Sequence, residues 1–222
     1  GTLTTGDAFD CDVNGDGEYD PNTERFYYVS DYYNTSTKSF ESDTAVLIYY
    51  NNVSAGNPDS SRNYAYDSSN ENWHGPRTAI EQLPTTSQWS NVSLKNTTRA
   101  ILNENEGNTT KGGTLPSNFS YSGYAARLLT IEELRQGTGI NNIPSETIVE
   151  LDDFNYLLEN TIFSNNNNAA VAWWFENTRS ASSSGGWYVG GYYRILYRTI
   201  VSLASGVDVR PAIEVSKTNI EY

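Results

Sequence analysis

The chain has one cysteine, one histidine and no methionine in 222 residues. The single thiol, Cys11, has no partner for an internal disulfide, so the fold does not depend on one. Cations are scarce: 14 Lys and Arg stand against 27 Asp and Glu, for a net charge of −13. A phosphate-binding surface needs clustered Lys and Arg, so nucleic acid and anionic membrane are poor partners. No apolar run approaches the ~18 residues of a membrane span. The start, Gly1-Thr2-Leu3, shows no signal-peptide pattern, and an anchoring or targeting segment is expected to lie outside this stretch.

What is present is aromatic and loop-forming. There are 17 Tyr and 5 Trp, and Asn, Ser, Thr and Gly fill the spaces between apolar runs. This is the composition of an extracellular or cell-surface β-rich module. The length suits one domain with a good core, or two small ones.

The first motif is Asp12-Val13-Asn14-Gly15-Asp16-Gly17-Glu18-Tyr19-Asp20. It matches the front of a calcium loop, with oxygen ligands from Asp12, Asn14 and Asp16, a sharp turn at Gly17, the Glu18 carbonyl and Asp20. Position 12 is Thr23 where an EF-hand places a bidentate Glu, and Glu24 falls one residue late. The stretch reads either as a structural calcium site with a non-standard last ligand or as an unmetallated acidic turn. Residues 1–24 are read as an N-terminal extension and 25–222 as the main domain.

Alternation and β-branched or aromatic content predict strands at Arg25–Tyr33 and Thr44–Tyr50, joined as a long hairpin. Residues 51–74 read as loop. Pro76 and Pro84 bracket a short helix with Ala79, Ile80 and Leu83 on one face, and Trp89, Val92 and Leu94 outline a short amphipathic segment after it. A strand at Tyr124–Leu128 runs into a helix whose start is a capping box, Thr130 with Glu133. A second helix is expected at Leu151–Asn160. Acidic pairs at helix starts, Glu132-Glu133 and Asp152-Asp153, are explained by the helix dipole. His74, at a loop–helix junction, reads as a hydrogen-bonding residue rather than a base, and no catalytic set stands out.

The C-terminal third is the densest in aromatics. Trp173, Trp174, Val209 and Ile213 read as core. Phe175, Asn177, Arg179, Trp187, Tyr188, Tyr192, Tyr193, Arg194, Leu196, Tyr197 and Arg198 mix aromatic, polar and basic groups in the proportions of a recognition surface. As a strand, this segment would place Trp187, Val189 and Tyr193 on one face and Tyr188 and Tyr192 on the other; the pattern leaves open which face is buried.

Ala126-Arg127-Leu128-Leu129-Thr130-Ile131-Glu132-Glu133-Leu134 resembles the R-L-P-T-E-x-E-W signature of C-type-lectin-like domains of the formylglycine-generating-enzyme type, with Leu129 for the Pro and Leu134 for the Trp. The ending from Gly206 to Val215 is similar to that family's closing G-F/V-R strand. Together with Trp173-Trp174 it also resembles bacterial surface domains with a W-W-L…G-V-R-P pattern, interrupted here by Asp208-Val209. The resemblance spans roughly residues 25–216 and implies an α+β, C-type-lectin-like fold of antiparallel strands, two or three short helices and much loop. It does not carry the chemistry of its relatives. The oxidases use two reactive Cys, the sulfoxide synthases several His, and the calcium-dependent sugar binders E-P-N or Q-P-D with W-N-D; none of these sets is here. The same fold carries the variable proteins of diversity-generating retroelements, whose diversified residues precede the closing strand. The resemblance therefore implies a non-catalytic domain displayed on a bacterial cell or phage, a retroelement-diversified variable protein that binds a protein or glycan through its aromatic-rich C-terminal surface. The alternative is a fixed structural or adhesive module, and an enzyme is the third reading.

Overall fold

The structure is a computed structural model that describes residues 1–59, 63–107, 117–139, 149–150, 172–190, 195–200, 202 and 207–221, with the backbone alone at 149–150 and 195–200. It is mixed and sheet-rich, with two short α-helices among the described residues.

The first sheet runs, in spatial order, β1 (Ala8–Asp10), β2 (Arg25–Asn34), β3 (Ser39–Tyr49) and β12 (Ala212–Ser216), antiparallel throughout. β2 (Arg25–Asn34) and β3 (Ser39–Tyr49) form the expected hairpin, with β3 starting five residues earlier than its apolar run. The reason is visible in the burial. Residues 39–43, polar apart from an exposed Phe40, lie at or near the surface beside the end of β2, and only 44–49 enter the core. β12 (Ala212–Ser216) pairs with that inner half, Ile213 opposite Leu47 and Glu214 opposite Val46. The closing strand thus returns beside an early hairpin. On the other edge, β1 (Ala8–Asp10) pairs with β2, Arg25 forms an ion pair with Asp10, and Val13 is buried in the core. The N-terminal segment is stitched into the sheet. Burial, with Asp10 and Glu24 nearby, pushes the Cys11 thiol up to about 12, so it stays protonated at neutral pH.

The second sheet has the order β8-β11-β10-β9: β8 (Val149–Glu150), β9 (Trp173–Thr178), β10 (Gly185–Gly190) and β11 (Ile195–Ile200). Two-stranded ribbons join β4 (Val53–Ser54) to β5 (Asn57–Pro58) and β6 (Thr98–Ala100) to β7 (Asn118–Ser120).

Helix α2 (Ile131–Thr138) begins as its sequence dictates. The Thr130 hydroxyl accepts from the Glu133 amide at 3.1 Å, and the Glu133 carboxylate accepts from the Thr130 amide at 3.0 Å. It ends at Gly139 in the left-handed region, φ 72°, where glycine avoids the Cβ penalty. Helix α1 is only Arg77–Ile80. The apolar face is as expected, with Ala79, Ile80 and Leu83 buried, but its last turn tightens into Gln82→Ala79 and Leu83→Ile80 bonds before Pro84. The segment from Trp89 to Leu94 forms turns, with Trp89 buried.

The expected strand at Tyr124–Leu128 is reduced to isolated bridges, Tyr124 to Thr85 and Arg127 to Ala212. Arg127 exchanges both backbone bonds with Ala212. The ladder does not extend past it, because the Ala125 amide bonds to Pro84 and the Leu129 carbonyl accepts from Glu176 instead. The helix expected at Leu151–Asn160 lies outside the described residues.

Candidate functional site

The aromatic C-terminal segment divides sharply between interior and surface. In β10 the period-2 alternation holds: Trp187 and Val189 are buried, and Tyr188 between them is half-buried. This identifies the buried face. Tyr188 stays edge-on to Trp174, ring centroids 5.9 Å apart. In β9 the alternation fails. Six consecutive residues, Trp173 to Thr178, are buried, and the register with β10 slips between Gly186 and Tyr188.

The failure has a cause: β9 is enclosed by other elements along its length. Trp174 donates its backbone amide to Asp208, Glu176 to Leu129 and Thr178 to Leu102. The Glu176 carboxylate takes Arg99 Nε at 3.0 Å and the Tyr121 hydroxyl at 3.0 Å. Asn177 accepts from the Ile131 amide at 2.9 Å and donates to both oxygens of Glu132 at 3.2 and 3.1 Å.

Of the residues assigned to recognition from sequence, Phe175, Asn177 and Trp187 are therefore corrected to the interior. Phe175 packs on Trp173 at 5.1 Å between ring centroids, Asn177 braces the start of α2, and Trp187 donates its indole N–H to Glu104 at 3.3 Å. Sequence alone could not place them, because a buried aromatic strand and an exposed aromatic surface share one composition. Arg179 and Tyr188 are half-buried. Leu196, Tyr197 and Arg198 lie in β11 opposite Val189, Tyr188 and Trp187. Tyr192, Tyr193 and Arg194 lie outside the described residues.

What the structure adds is a presented loop, residues 179–184, held by two buried polar side chains that the sequence did not single out. Asn72 donates its side-chain amide to the carbonyls of Ser182 at 2.6 Å and Gly185 at 2.8 Å, and its backbone amide to Ser183 at 2.8 Å. Glu104 accepts from the Ser180 amide at 2.8 Å and from the Ser180 hydroxyl. Gly185 closes the turn: a Cβ there would come 2.9 Å from that of Arg179. Ala181 and Ser183 remain exposed at the loop's crest. Buried Asn and Glu that satisfy backbone groups of a neighbouring loop make that loop a fixed shape rather than a floppy one.

Beside the loop, on the 3-10 turn Asn72–His74, the Trp73 and His74 rings pack at a 45° tilt with centroids 3.7 Å apart. The His74 Nδ1 lies 2.8 Å from Asp67 Oδ2, and Ser69 Oγ is 3.3 Å from the same nitrogen. Burial works against the Asp67 carboxylate, but bonds from the Ser69 amide, His74 and the Ser69 hydroxyl outweigh it and hold it below its usual range. The Ser69 hydroxyl itself bonds to Asp67 at 2.9 Å, so it sits on the nitrogen that Asp67 occupies. That geometry orients the imidazole ring.

In the N-terminal acidic loop the Asp12 carboxylate accepts the amides of Gly15, Asp16 and Gly17 at 2.7 to 3.1 Å. Asn14 and Asp16 accept the amides two residues on. Asp20 accepts from Asn22 and Thr23, which holds its carboxyl below its usual range. Glu24 is buried and accepts from the Val13 and Asp20 amides at 3.2 and 3.1 Å, tying both ends of the loop together. The side-chain donors are hard oxygens, which suits calcium. Among the described residues no three His, Cys, Asp or Glu converge as a ligand group, so Asn14 and the Glu18 carbonyl would have to complete any site. Comparison with protein-family models, with curated proteins and with solved structures returned no match.

Proposed function

We propose that the protein is a non-catalytic ligand-binding domain of C-type-lectin-like fold, displayed outside the cell and diversified by a retroelement, with a protein or glycan as its ligand. The observation that carries this reading is the loop at 179–184, whose backbone is held by buried Asn72 and Glu104 while its crest faces solvent. A scaffold that fixes the shape of a loop independently of the loop's outer side chains tolerates changes in those side chains. The return of β12 beside the early hairpin and the capping box at Thr130 support the lectin-like fold. The acidity of the chain favours partners other than nucleic acid or anionic membrane. A calcium ion on Asp12, Asn14, Asp16, the Glu18 carbonyl and Asp20 would neutralise a carboxylate cluster and hold the N-terminal segment.

The experiment is population sequencing of the locus. Substitutions should pile up between 175 and 205 at outward positions such as Ala181, Ser183 and Tyr188. Asn72, Glu104, Phe175, Asn177 and Trp187 should stay fixed. Sparse variation spread evenly along the chain would overturn diversification and leave a fixed adhesive module.

A further inference from the structure

Among the described residues three arginines, Arg99, Arg127 and Arg210, are buried completely. Two of them are neutralised. Arg99 pairs with Glu176, and Arg127 with both Glu133 and Glu214. Arg210 is the exception. Its Nε donates to Asn52 Oδ1 at 2.8 Å, and its guanidinium lies 5.9 Å over the Trp173 ring, but neither Nη1 nor Nη2 has a partner. Asn52 in turn donates to the Ala172 carbonyl at 3.3 Å, so the guanidinium is fixed at Nε while both Nη groups lack a partner. Two residues earlier, Asp208 is also fully buried. Its Oδ1 accepts from the Val209 amide at 2.9 Å, and its Oδ2 has no partner. The backbone here is rigid, since Val207, Asp208, Val209 and Pro211 all accept amide bonds, from Tyr64, Trp174, Val53 and Tyr49.

We propose that Arg210, Asp208 and Asn52 form an internal site for a small monovalent anion, a halide or a carboxylate the size of formate. A buried cation without a counter-charge costs several kcal/mol in a fold, and this chain supplies that counter-charge at its other two buried arginines. Burial pushes the Asp208 carboxyl up to about 8, with the Asp59 carboxylate adding to it, against opposing pulls from the Val209 amide and Arg210. That burial favours the neutral acid, which can donate, over the carboxylate. Arg210 is drawn down to about 9 by the same burial and remains charged at pH 7. Two unpartnered guanidinium nitrogens carrying one positive charge, with an unpartnered carboxyl oxygen two residues away in the chain, fit a monoanion. The full burial of every named group limits it to a few atoms.

A crystal of the whole chain soaked in sodium bromide should show an anomalous peak within hydrogen-bond distance of the Arg210 Nη atoms; water alone at that place would overturn the proposal. In solution, sodium chloride or formate should raise the melting temperature saturably by about 3 °C over sodium gluconate at equal ionic strength, and Arg210→Gln should lose that response. Identical melting of the wild type in all three salts would also overturn it. Should Arg210→Gln fail to fold, the bromide map of the wild type decides.

Discussion

Arg127 and Glu133 form a two-pronged ion pair in the interior, Nη1 to Oε2 at 2.9 Å and Nη2 to Oε1 at 2.6 Å, with neither side chain exposed. The same guanidinium reaches Glu214 on β12 through Nε at 2.6 Å. Glu133 is also the reciprocal member of the α2 capping box. One arginine thus ties the start of the helix to the closing strand. Arg127→Met would leave two carboxylates buried without their cation, a loss of about 3–5 kcal/mol. Urea unfolding measures it. A loss under about 1 kcal/mol would mean that the pair is not closed in solution.

The two glutamates at the start of α2 titrate in opposite senses. Burial works against the Glu133 carboxylate, but Arg127 outweighs it and holds its pKa below the ordinary value. The stability it contributes is present above that ordinary value and lost as pH falls through the folded one. Burial pushes Glu132 up to about 7 from 4.5. Between those values the folded state keeps a proton that the unfolded chain releases, so stability is full below about 4.5 and declines as pH rises through 7. The loss approaches about 3 kcal/mol. Glu132→Gln should flatten this decline and melt several degrees higher than wild type at pH 8, with little difference at pH 4.5. Parallel melting curves for the two proteins across that range would refute the assignment.

These two residues also mark what the sequence could and could not say. Thr130 with Glu133 is a local signal, readable because both partners lie within one turn, and it appeared as read. The hairpin of β2 and β3 and the apolar face around α1 were legible for the same reason. The dipole explanation of Glu132 and Glu133 was incomplete, because their burial is set by Asn177 and Arg127, 45 and 6 residues away. Asn72 and Glu104 gave no local signal, since their partners lie 110 and 76 residues on. Polar residues that satisfy a distant backbone look like loop composition until the chain is folded.

Trp187 and Tyr188 are neighbours with opposite surroundings, and substitution should separate them. Trp187→Ala opens a cavity and strips Glu104 of a donor, which should cost about 3–5 kcal/mol. Tyr188→Ala, on the half-buried side, should cost distinctly less and leave the near-ultraviolet spectrum of the core largely intact. Equal losses would place both side chains in the core and remove Tyr188 from any recognition surface.

The acidic loop offers the most direct chemical test. Asp12, Asp16, Glu18 and Asp20 fall within nine residues of a chain with a net charge of −13, and the loop connects β1 to β2 through Glu24. A calcium ion that binds only the folded loop stabilises by mass action, about 2.7 kcal/mol at a hundredfold excess over its dissociation constant. In a chain of this size that is a melting shift of roughly 5–10 °C. Adding calcium to chelator-treated protein should restore the shift, magnesium should do so weakly because it demands octahedral geometry at shorter distances, and Asp16→Ala should abolish it. If the wild type melts at one temperature in calcium and in chelator, the loop is an acidic turn closed by its own amides. The links from Glu24 to Val13 and Asp20 would then be what holds the N-terminal segment to the sheet.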